Sequence, residues 1–542
     1  MSGWITDTPA ASMRFPLYTR SNASDVMPDP VSPLGVTLSI VGVMDGWRDG
    51  QVRNGAFEMS ELTAEGINPT CGFFNGFFYV NASLVRVFGE RSGAGAAGMD
   101  AAFFGNRPDT PPYVAHPDDQ SEAAAARLAE RVGWVLSTTD YPELDEHKAV
   151  ADGVRADRPD LSSLSDNELV ARAREMTPLV RMMFDDHAIT SSNSGIGPTI
   201  LGQLVPDLML RLISGAGDVD SAAPSHAMWN LSRLDRNSDE YAVTFASFIE
   251  AFGCRGPNEW DPYSDTWETR PELAHALIDS MRNAPSDQAP DVAYARVVAD
   301  REVATAEALA RVDGDEEATA TILAAQASAL RFNAWRERSK TNCVKVINEQ
   351  RVALRELGRR HLADERDVFM VLDVELDDFI ADPDQMKATI AARGAEWRRL
   401  WELEPPYFIE ADKGIPSLDD LHAKVTSSAD IATAGTELTG AAGCAGVVEG
   451  LARVINDPSD PSALQPGDIL VAPNTDPSWT PLFVAAGGVV VGVGSMNSHA
   501  VIVCRELGLP CVVSVTDCTT RIPDGARVRV DGDAGTVTVV EV

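Results

Sequence analysis

The spacing of apolar residues changes character near residue 440 of this 542-residue chain. From about residue 118 to 405, apolar residues recur at helical spacing, as in 271–281, 294–335 and 342–362. After residue 440 they form short β-branched runs bounded by glycine and proline, a pattern typical of buried strands. Because the two patterns require different packing layers, the sequence predicts a multidomain α+β protein.

We divide the chain into three parts on this basis. Residues 1–425 are predicted to form a large, mostly helical domain with only a few early strands. Residues 426–440 are small and polar, which is typical of a flexible hinge, although a surface loop has the same composition. Residues 441–542 are predicted to form a small C-terminal α/β domain.

Local signals mark individual elements within the helical part. Ser165 and Glu168 have the spacing of a capping box and precede an apolar-periodic run that reaches Phe184. Further upstream, Asn75-Gly76 separates two aromatic runs. This pair predicts a tight turn between two core strands, and the same aromatic side chains are also suited to lining a substrate pocket.

Composition excludes several classes of function. The 81 Asp and Glu residues outnumber the 45 Lys and Arg residues, giving a formal net charge of −36, so we expect no binding to nucleic acid or to an anionic membrane. No apolar run reaches transmembrane length, and no signal peptide is evident. The seven cysteines are scattered without zinc-ligand spacing, which predicts a cytoplasmic protein with no metal site of its own.

One motif in the C-terminal part combines a strand with a helix start. An apolar run from Gly488 leads into Gly494-Ser495-Met496-Asn497-Ser498-His499-Ala500. Asn497 or Ser498 is suited to capping a following helix of about ten residues. Arg505 in the last turn, Gly508 just beyond it and Pro510 as a stop mark the end of that helix.

His499 is therefore predicted to lie in the first turn of this helix. Unpaired backbone N–H groups and the positive end of the helix dipole stabilise an anion at such a position. A histidine nucleophile requires a neutral and exposed reacting nitrogen. A capping or packing role for this histidine is the alternative.

The segment from Gly494 to Val513 resembles the phosphohistidine segment of PEP-utilising enzymes, including PEP synthase, pyruvate phosphate dikinase and rifampicin phosphotransferase. Their motif reads approximately Gly-Gly-x-x-Ser-His-Ala, followed by a helix and Arg-Glu-x-Gly-Ile-Pro. Ser495, Leu509 and Cys511 depart from it without removing a reacting group. The resemblance implies that residues 441–542 are a swivelling domain in which His499 carries the phosphoryl group.

The same resemblance assigns a role to two cations in the helical part. Arg336 and Lys340 are four residues apart and share one face of a predicted helix. Spacing alone is equally consistent with a solvated basic face, because this helix carries several other cations. The surrounding sequence, however, resembles the Arg-Glu-x-x-Lys helix of rifampicin phosphotransferase, which implies that both residues are catalytic and meet the phosphohistidine.

Two further groups are candidate substrate-binding residues. Arg255 and Glu259 lie in a segment that resembles a Gly-x-Arg-x-x-x-Glu loop of the family, although some relatives have histidine where Cys254 stands. Structural ion pairing is the alternative for this pair. Asp186 beside His187 forms a candidate base for an acceptor hydroxyl, with a polar helix end as the alternative.

The sequence contains no P-loop, and no ATP-grasp segment precedes residue 17. We therefore expect ATP and Mg²⁺ to be bound mainly by a separate ATP-grasp subunit, with no cofactor held by this chain alone. This arrangement resembles phenylphosphate synthase and the synthase that forms 4-methylphenyl phosphate from p-cresol, which implies a small phenolic acceptor. The alternatives are a phosphotransferase for rifampicin or another alcohol, and a phosphohistidine relay protein.

Overall fold

The computed structural model of the chain describes residues 11–104, 107, 109–217, 219–424, 430–456, 464–495 and 498–542. It confirms the predicted fold class, because a large helical domain precedes a C-terminal α/β domain built on one mixed sheet. Among the described residues, no helix combines the length and apolar character needed to cross a membrane. The predicted domain boundaries stay predictions.

The helical domain contains seventeen α-helices within the described ranges: α1 Ala23–Val26, α2 Val41–Arg53, α3 Met59–Thr63, α4 Ala82–Ser92, α5 Gly95–Phe104, α6 Glu122–Ser137, α7 Pro142–Ala156, α8 Asp166–Asn193, α9 Ile196–Leu204, α10 Met209–Leu212, α11 Ala223–Ser232, α12 Asp239–Phe252, α13 Pro271–Met281, α14 Pro290–Arg311, α15 Glu316–His361, α16 Leu376–Ala381 and α17 Pro383–Leu400. The helix α8 begins at the predicted capping box, in which the Glu168 backbone N–H donates to Ser165 and the Ser165 backbone N–H donates to Glu168.

The longest helix, α15, has 46 residues and packs against α7, α8 and α9. The apolar-periodic runs 294–335 and 342–362 do not match the helix bounds, because α15 is continuous through residues 335–342 and is separated from α14 at an earlier point. The break lies earlier, where Gly314 adopts a φ of +85° and the Asp315 side chain accepts from the backbone N–H of Ala318. Glycine tolerates this left-handed backbone conformation, and an N-terminal aspartate cap begins a new helix.

A four-stranded sheet joins the beginning of the described chain to the end of the helical domain. Its order is β2 (Cys71–Phe74), β3 (Phe77–Asn81), β1 (Leu17–Thr19) and β5 (Phe408–Glu410). The predicted turn between β2 and β3 is confirmed, with φ of +54° at Asn75 and +81° at Gly76. Beside this sheet, β4 (Leu403–Glu404) pairs with β6 (His422–Ala423).

The segment that follows β1 is held by the buried guanidinium of Arg20. Its N–H groups donate to the backbone carbonyls of Phe78 at 2.6 Å, Met27 at 3.0 Å and Pro28 at 2.8 Å. These bonds satisfy a charged group that has lost its water and fix the path of the chain around α1. The proline-rich early segment is therefore part of the folded helical domain.

The C-terminal domain is one eight-stranded sheet in the order β7-β14-β13-β9-β10-β11-β12-β8. Strands β9 to β12 are parallel neighbours, and the remaining pairs are antiparallel. The elements are β7 Glu437–Thr439, β8 Ala441–Cys444, β9 Val447–Val454, β10 Ile469–Ala472, α18 Thr480–Ala485, β11 Gly488–Val491, α19 His499–Leu507, β12 Cys511–Val513, α20 Cys518–Arg521, β13 Arg527–Asp531 and β14 Thr536–Glu541.

Part of the predicted hinge belongs to this sheet. Strand β7 lies within residues 426–440 and pairs with β14, because its central Leu438 is buried while Glu437 and Thr439 remain exposed. The small and polar residues around this strand favoured a flexible linker, so the sequence analysis did not predict that the Leu438 side chain faces the core. Residues 426–429 of the predicted hinge lie outside the described residues.

The two domains are packed against each other. Phe483 and Val501 of the C-terminal domain belong to the same buried apolar cluster as Trp229 and Leu277 of the helical domain. Ile502 packs with Val219 and Ala222 in a second cluster. Burial of apolar surface at both points stabilises the docked arrangement, and it brings the start of α19 against the helical domain.

Polar contacts fix the same arrangement. The Glu506 carboxylate of α19 accepts from the backbone N–H groups of Ala216 at 2.8 Å and Gly217 at 3.1 Å. The carbonyl of Arg505 accepts from the backbone N–H of Gly215 at 3.2 Å. Since one carboxylate holds two consecutive backbone donors, the C-terminal end of α19 is anchored to the helical domain.

Candidate functional site

His499 lies where the sequence placed it, at the first residue of α19. The helix α19 connects β11 to β12, and these two strands are parallel neighbours in the sheet. His499, at the start of α19, therefore lies near the carboxyl end of β11. Ser498 has extended N-cap geometry, but its side chain accepts no capping hydrogen bond. Asn497, the other predicted cap, lies outside the described residues. Gly508 ends the helix at a φ of +67°, as predicted.

The prediction that the imidazole is exposed is wrong in the docked arrangement. Only 7% of His499 is accessible, and the nearby Val501 and Ile502 of α19 pack in clusters that include residues of the helical domain. The Nε2 atom of His499 lies 3.1 Å from the Thr480 hydroxyl, and its ring stacks on Phe483 at a centroid distance of 6.1 Å. Within the described residues, Nδ1 has no hydrogen-bond partner.

Burial and surrounding charge keep the imidazole neutral. Burial first, and then the positive charges of Lys340, Arg255 and Arg336, lower the pKa of His499 well below its usual value. A neutral ring has the free lone pair that a phosphoryl carrier needs. The three cations come from the helical domain, so the structure brings His499 and the predicted cation pair into one site.

Arg336 and Lys340 are interior residues of α15. They are 9% and 7% exposed, so the alternative of a solvated basic face is wrong. The Arg336 guanidinium donates to Glu337 at 2.7 Å, and the Lys340 ammonium lies 3.6 Å from Glu259. Two cations one turn apart on a rigid helix are a suitable arrangement for neutralising a phosphoryl group.

Arg255 adds a third cation from the loop after α12. Its side chain is 2% exposed, with Nε 3.3 Å from Glu259 and Nη1 donating to Thr341 at 3.2 Å. The Nη2 group has no hydrogen-bond partner in the described part of the chain. A buried guanidinium with unused donors is suited to receiving an anionic oxygen.

The loop that carries Arg255 and Glu259 is fixed from two sides. Arg351 of α15 donates to the backbone carbonyls of Glu259 at 2.7 Å and Asp261 at 3.2 Å. From the C-terminal domain, Asp476 accepts from the backbone N–H of Asn258 at 3.0 Å. The docked domain therefore contributes to the position of the loop as well as supplying His499.

His187 lies beside the cation pair, but Asp186 does not assist it. The Nδ1 atom of His187 contacts the Ser339 hydroxyl at 3.1 Å, and burial, Arg336 and Lys340 lower its pKa well below the usual value. Asp186 points to a different side of α8, where it bonds His147 and accepts from Tyr141 at 3.0 Å. The predicted Asp186–His187 pairing is wrong, because consecutive helical residues project about 100° apart.

Asp25 is a buried acidic residue of the site that the sequence analysis missed. It lies on the short helix α1 and is 7% exposed. Burial raises its pKa to about 7, although the nearby charges of Arg336 and Lys340 lower it. The adjacent Ser24 carbonyl accepts from the side chain of Asn474 in the C-terminal domain at 3.3 Å, so α1 borders the domain interface.

A cavity of about 740 Å³ adjoins Arg255 in the helical domain. Its volume falls within the range of small-molecule sites. Much of its wall is made of paired charges contributed by Lys148, Asp152, Arg155, Glu268 and Lys345. No group of three or more His, Cys, Asp or Glu side chains among the described residues is arranged to hold a metal ion.

Comparison with known proteins agrees with this geometry. Residues 464–535, which include His499, match the mobile domain of PEP-utilising enzymes. Residues 233–337, which include Arg255 and Arg336, match the fourth domain of rifampicin phosphotransferase. Both sides of the site therefore lie within, or directly beside, segments that match these two families.

Three relatives illustrate the extent of the similarity. The rifampicin phosphotransferase of Streptomyces sviceus is 30% identical over 54% of this chain and 34% of its own length. The Bacillus subtilis rifampicin phosphotransferase is 29% identical over 57% of this chain and 36% of its own length. An uncharacterized protein of Mycobacterium tuberculosis is 26% identical over 99% of this chain and 62% of its own length.

The chain thus spans between about a third and three fifths of the length of these curated relatives. The matched segments contain the phosphohistidine motif and the cation-bearing region from which the resemblance was predicted. Together they confirm that the chain resembles the PEP-utilising enzymes, through their mobile domain, and the rifampicin phosphotransferases.

Proposed function

We propose that this chain is the phosphohistidine-bearing part of a phosphotransferase that delivers its phosphoryl group to a hydroxyl. One observation carries the proposal: a buried, neutral His499 from one domain faces Arg255, Arg336 and Lys340 from the other. These cations are suited to offsetting the charge of the phosphoryl group in transfer. Domain contact excludes the bulk water that would otherwise hydrolyse the phosphoimidazole.

The proposed cycle alternates between two positions of the C-terminal domain. Away from the helical domain, His499 is charged at an ATP-grasp site on a separate subunit, which binds ATP and Mg²⁺ and releases AMP and phosphate. In the docked position, the acceptor oxygen attacks phosphorus and the P–N bond breaks, returning its electron pair to the imidazole. The anchoring contacts of Glu506 favour this docked position.

The proposed acceptor is a small phenol such as phenol or p-cresol, by resemblance to the aryl phosphate synthases. A second candidate is a larger alcohol of the rifampicin type. It is favoured by the relatives named rifampicin phosphotransferase and by the cavity of about 740 Å³ beside Arg255, which exceeds the needs of a single aromatic ring.

A single-turnover chase tests the proposal. The chain is incubated with an ATP-grasp partner and ATP labelled in the phosphoryl group that reaches His499, then separated and mixed with phenol, p-cresol or rifampicin. Loss of label to phenols supports the aryl phosphate reading, and loss to rifampicin alone supports the second candidate. The His499→Ala variant is the control, and acid-labile label retained in that variant contradicts the proposed carrier.

A further inference from the structure

Transfer to a hydroxyl releases a proton, and the proposed site needs a group that accepts it. We propose that Asp25 is the general base that takes the proton of the acceptor hydroxyl when the phosphoryl group leaves His499. The inference rests on the proposed function and adds the residue that activates the acceptor. It also explains why a short helix from the early segment borders the interface.

The position of Asp25 supports this role. The helix α1 reaches the domain interface through the contact between Asn474 and the Ser24 carbonyl. The Asp25 carboxylate shares Arg336 and Lys340 as electrostatic neighbours with His499. An acceptor bound between the carrier and this cation pair therefore has Asp25 on the border of its site.

The other acidic groups near these cations are already engaged. Glu259 lies 3.6 Å from Lys340 and 3.3 Å from Arg255. Glu337 accepts from Arg336 at 2.7 Å. Burial opposes ionisation of Glu337, but Lys340, Arg336 and Arg255 hold its pKa below the usual value, so it is a weak base. Within the described residues, Asp25 forms no ion pair at such a distance.

Two further candidates are less suited to accepting the proton. Asp476 accepts hydrogen bonds from the backbone N–H groups of Asn258 and Ser478, at 3.0 and 2.8 Å, and so fastens the interface loop. His187 contacts Ser339 through Nδ1, and its strongly lowered pKa makes it a poor proton acceptor. Burial also raises the pKa of Asp476, to about 6, but its hydrogen bonds hold the interface loop, so Asp25 is the carboxylate that we assign to this task.

The acidity of Asp25 matches the task. Burial raises its pKa to about 7, and the groups that face it are Arg336 and Lys340 on α15 and Tyr407 before β5. The two cations lower the pKa, whereas burial outweighs them. A base whose pKa lies near working pH is ionised in a useful fraction of molecules and still binds a proton effectively.

The step balances without another reactant. The acceptor oxygen forms the new P–O bond while the P–N bond to His499 breaks, and the bonding pair stays on the imidazole nitrogen. The hydroxyl proton passes to a carboxylate oxygen of Asp25, which later releases it to solvent. Arg336 and Lys340 offset the negative charge of the phosphoryl group during this step.

The experiment compares Asp25→Asn with Asp25→Glu and with Asp29→Asn, a matched substitution in the same segment. Asp29 lies 3.9 Å from Lys424 and belongs to a different charge group. Each protein is charged by the ATP-grasp partner, isolated and mixed with the acceptor that discharges the wild type. Discharge rates are measured between about pH 5.5 and 8.5.

We expect all four proteins to charge on His499, with Asp25→Asn discharging about 10²-fold or more slowly. The wild-type rate should fall as pH drops through about 7. This fall in the discharge rate at low pH should be absent in Asp25→Asn but should remain in Asp25→Glu and Asp29→Asn. A merely structural role for Asp25 would lower the amount of active protein without changing the shape of the profile.

Several outcomes would overturn the inference. If Asp25→Asn discharges at the wild-type rate, or if its rate still falls at low pH as in the wild type, Asp25 is not the base. Either result leaves the proposed function intact. Loss of charging in Asp25→Asn moves the residue to the ATP half-reaction and also rejects the inference. If the wild type charges on His499 but no hydroxyl acceptor discharges it, the proposed function and this inference fail together.

Discussion

Replacing Glu506 should weaken domain docking without affecting the chemistry of His499. The two residues lie at opposite ends of α19, and the Glu506 carboxylate accepts hydrogen bonds from the backbone donors of Ala216 and Gly217 in the helical domain. We therefore expect Glu506→Ala to slow delivery of the phosphoryl group while leaving its charging by a separate subunit intact.

The size of the effect follows from these two hydrogen bonds. At 2.8 and 3.1 Å they are of good length, and a hydrogen bond to a charged group contributes about 1.5–3 kcal/mol. Burial raises the pKa of Glu506, so desolvation offsets part of the gain. We take about 1.5–3 kcal/mol for the pair, which corresponds to a roughly 10–100-fold fall in the ratio of docked to undocked molecules.

Two measurements on the same protein test this expectation. Single-turnover discharge should slow by up to that factor, and small-angle scattering should show a larger radius of gyration. Glu506→Gln keeps one carbonyl oxygen as acceptor and should lie between the wild type and Glu506→Ala. Glu449→Ala, which removes an exposed carboxylate of the same domain, is the matched control. Unchanged discharge together with unchanged scattering in Glu506→Ala would refute the reasoning.

Three further outcomes are expected. His499→Ala should retain the wild-type circular dichroism spectrum yet incorporate no acid-labile phosphate, as measured by partner-dependent labelling. Arg336→Ala and Lys340→Ala should charge normally but discharge about 10²–10³-fold more slowly in the chase, whereas the exposed control Lys387→Ala should match the wild type. Asp25→Asn should gain stability relative to the wild type as pH rises, as measured by denaturant unfolding at several pH values.

Local signals in the sequence predicted local structure well. The capping box before α8, the turn at Asn75-Gly76 and the left-handed end of α19 at Gly508 all depend on neighbouring residues, and all three are confirmed. The position of His499 between a strand and a helix also depends on neighbouring residues, and it was predicted in the same way. The apolar-periodic run 294–335 does not correspond to one helix, because α14 ends at Arg311 and α15 begins at Glu316. Periodicity alone cannot separate a helix end from an irregular buried face.

The three-dimensional arrangement of the site could not be predicted from local signals in the sequence. Asp25 meets the charges of Arg336 and Lys340 across some three hundred residues of chain, and its four-residue helix has no distinctive pattern. The burial of His499 was missed for a related reason. Neighbouring residues predict that His499 begins a helix. Its burial, however, also depends on how the two domains dock, through contacts such as those of Glu506.

The pH dependence of stability distinguishes a functional Asp25 from a structural one. Burial raises its pKa from 3.8 to about 7, so the folded state binds this proton more tightly than the unfolded state does. The stabilisation is fully present below the unfolded pKa and is lost as pH rises through about 7. Over the whole interval the loss amounts to about 4 kcal/mol.

Asparagine occupies the same volume and never ionises. The free energy of unfolding of Asp25→Asn relative to the wild type should therefore rise by about 2–3 kcal/mol between pH 5 and 7 and level off above pH 7. The exposed control Glu449→Gln should show no such rise. A parallel pH dependence in Asp25→Asn and the wild type would refute the raised pKa. An ionised Asp25 lowers the stability of the fold at working pH. Its role as a base explains why the residue is present, because functional sites often reduce stability.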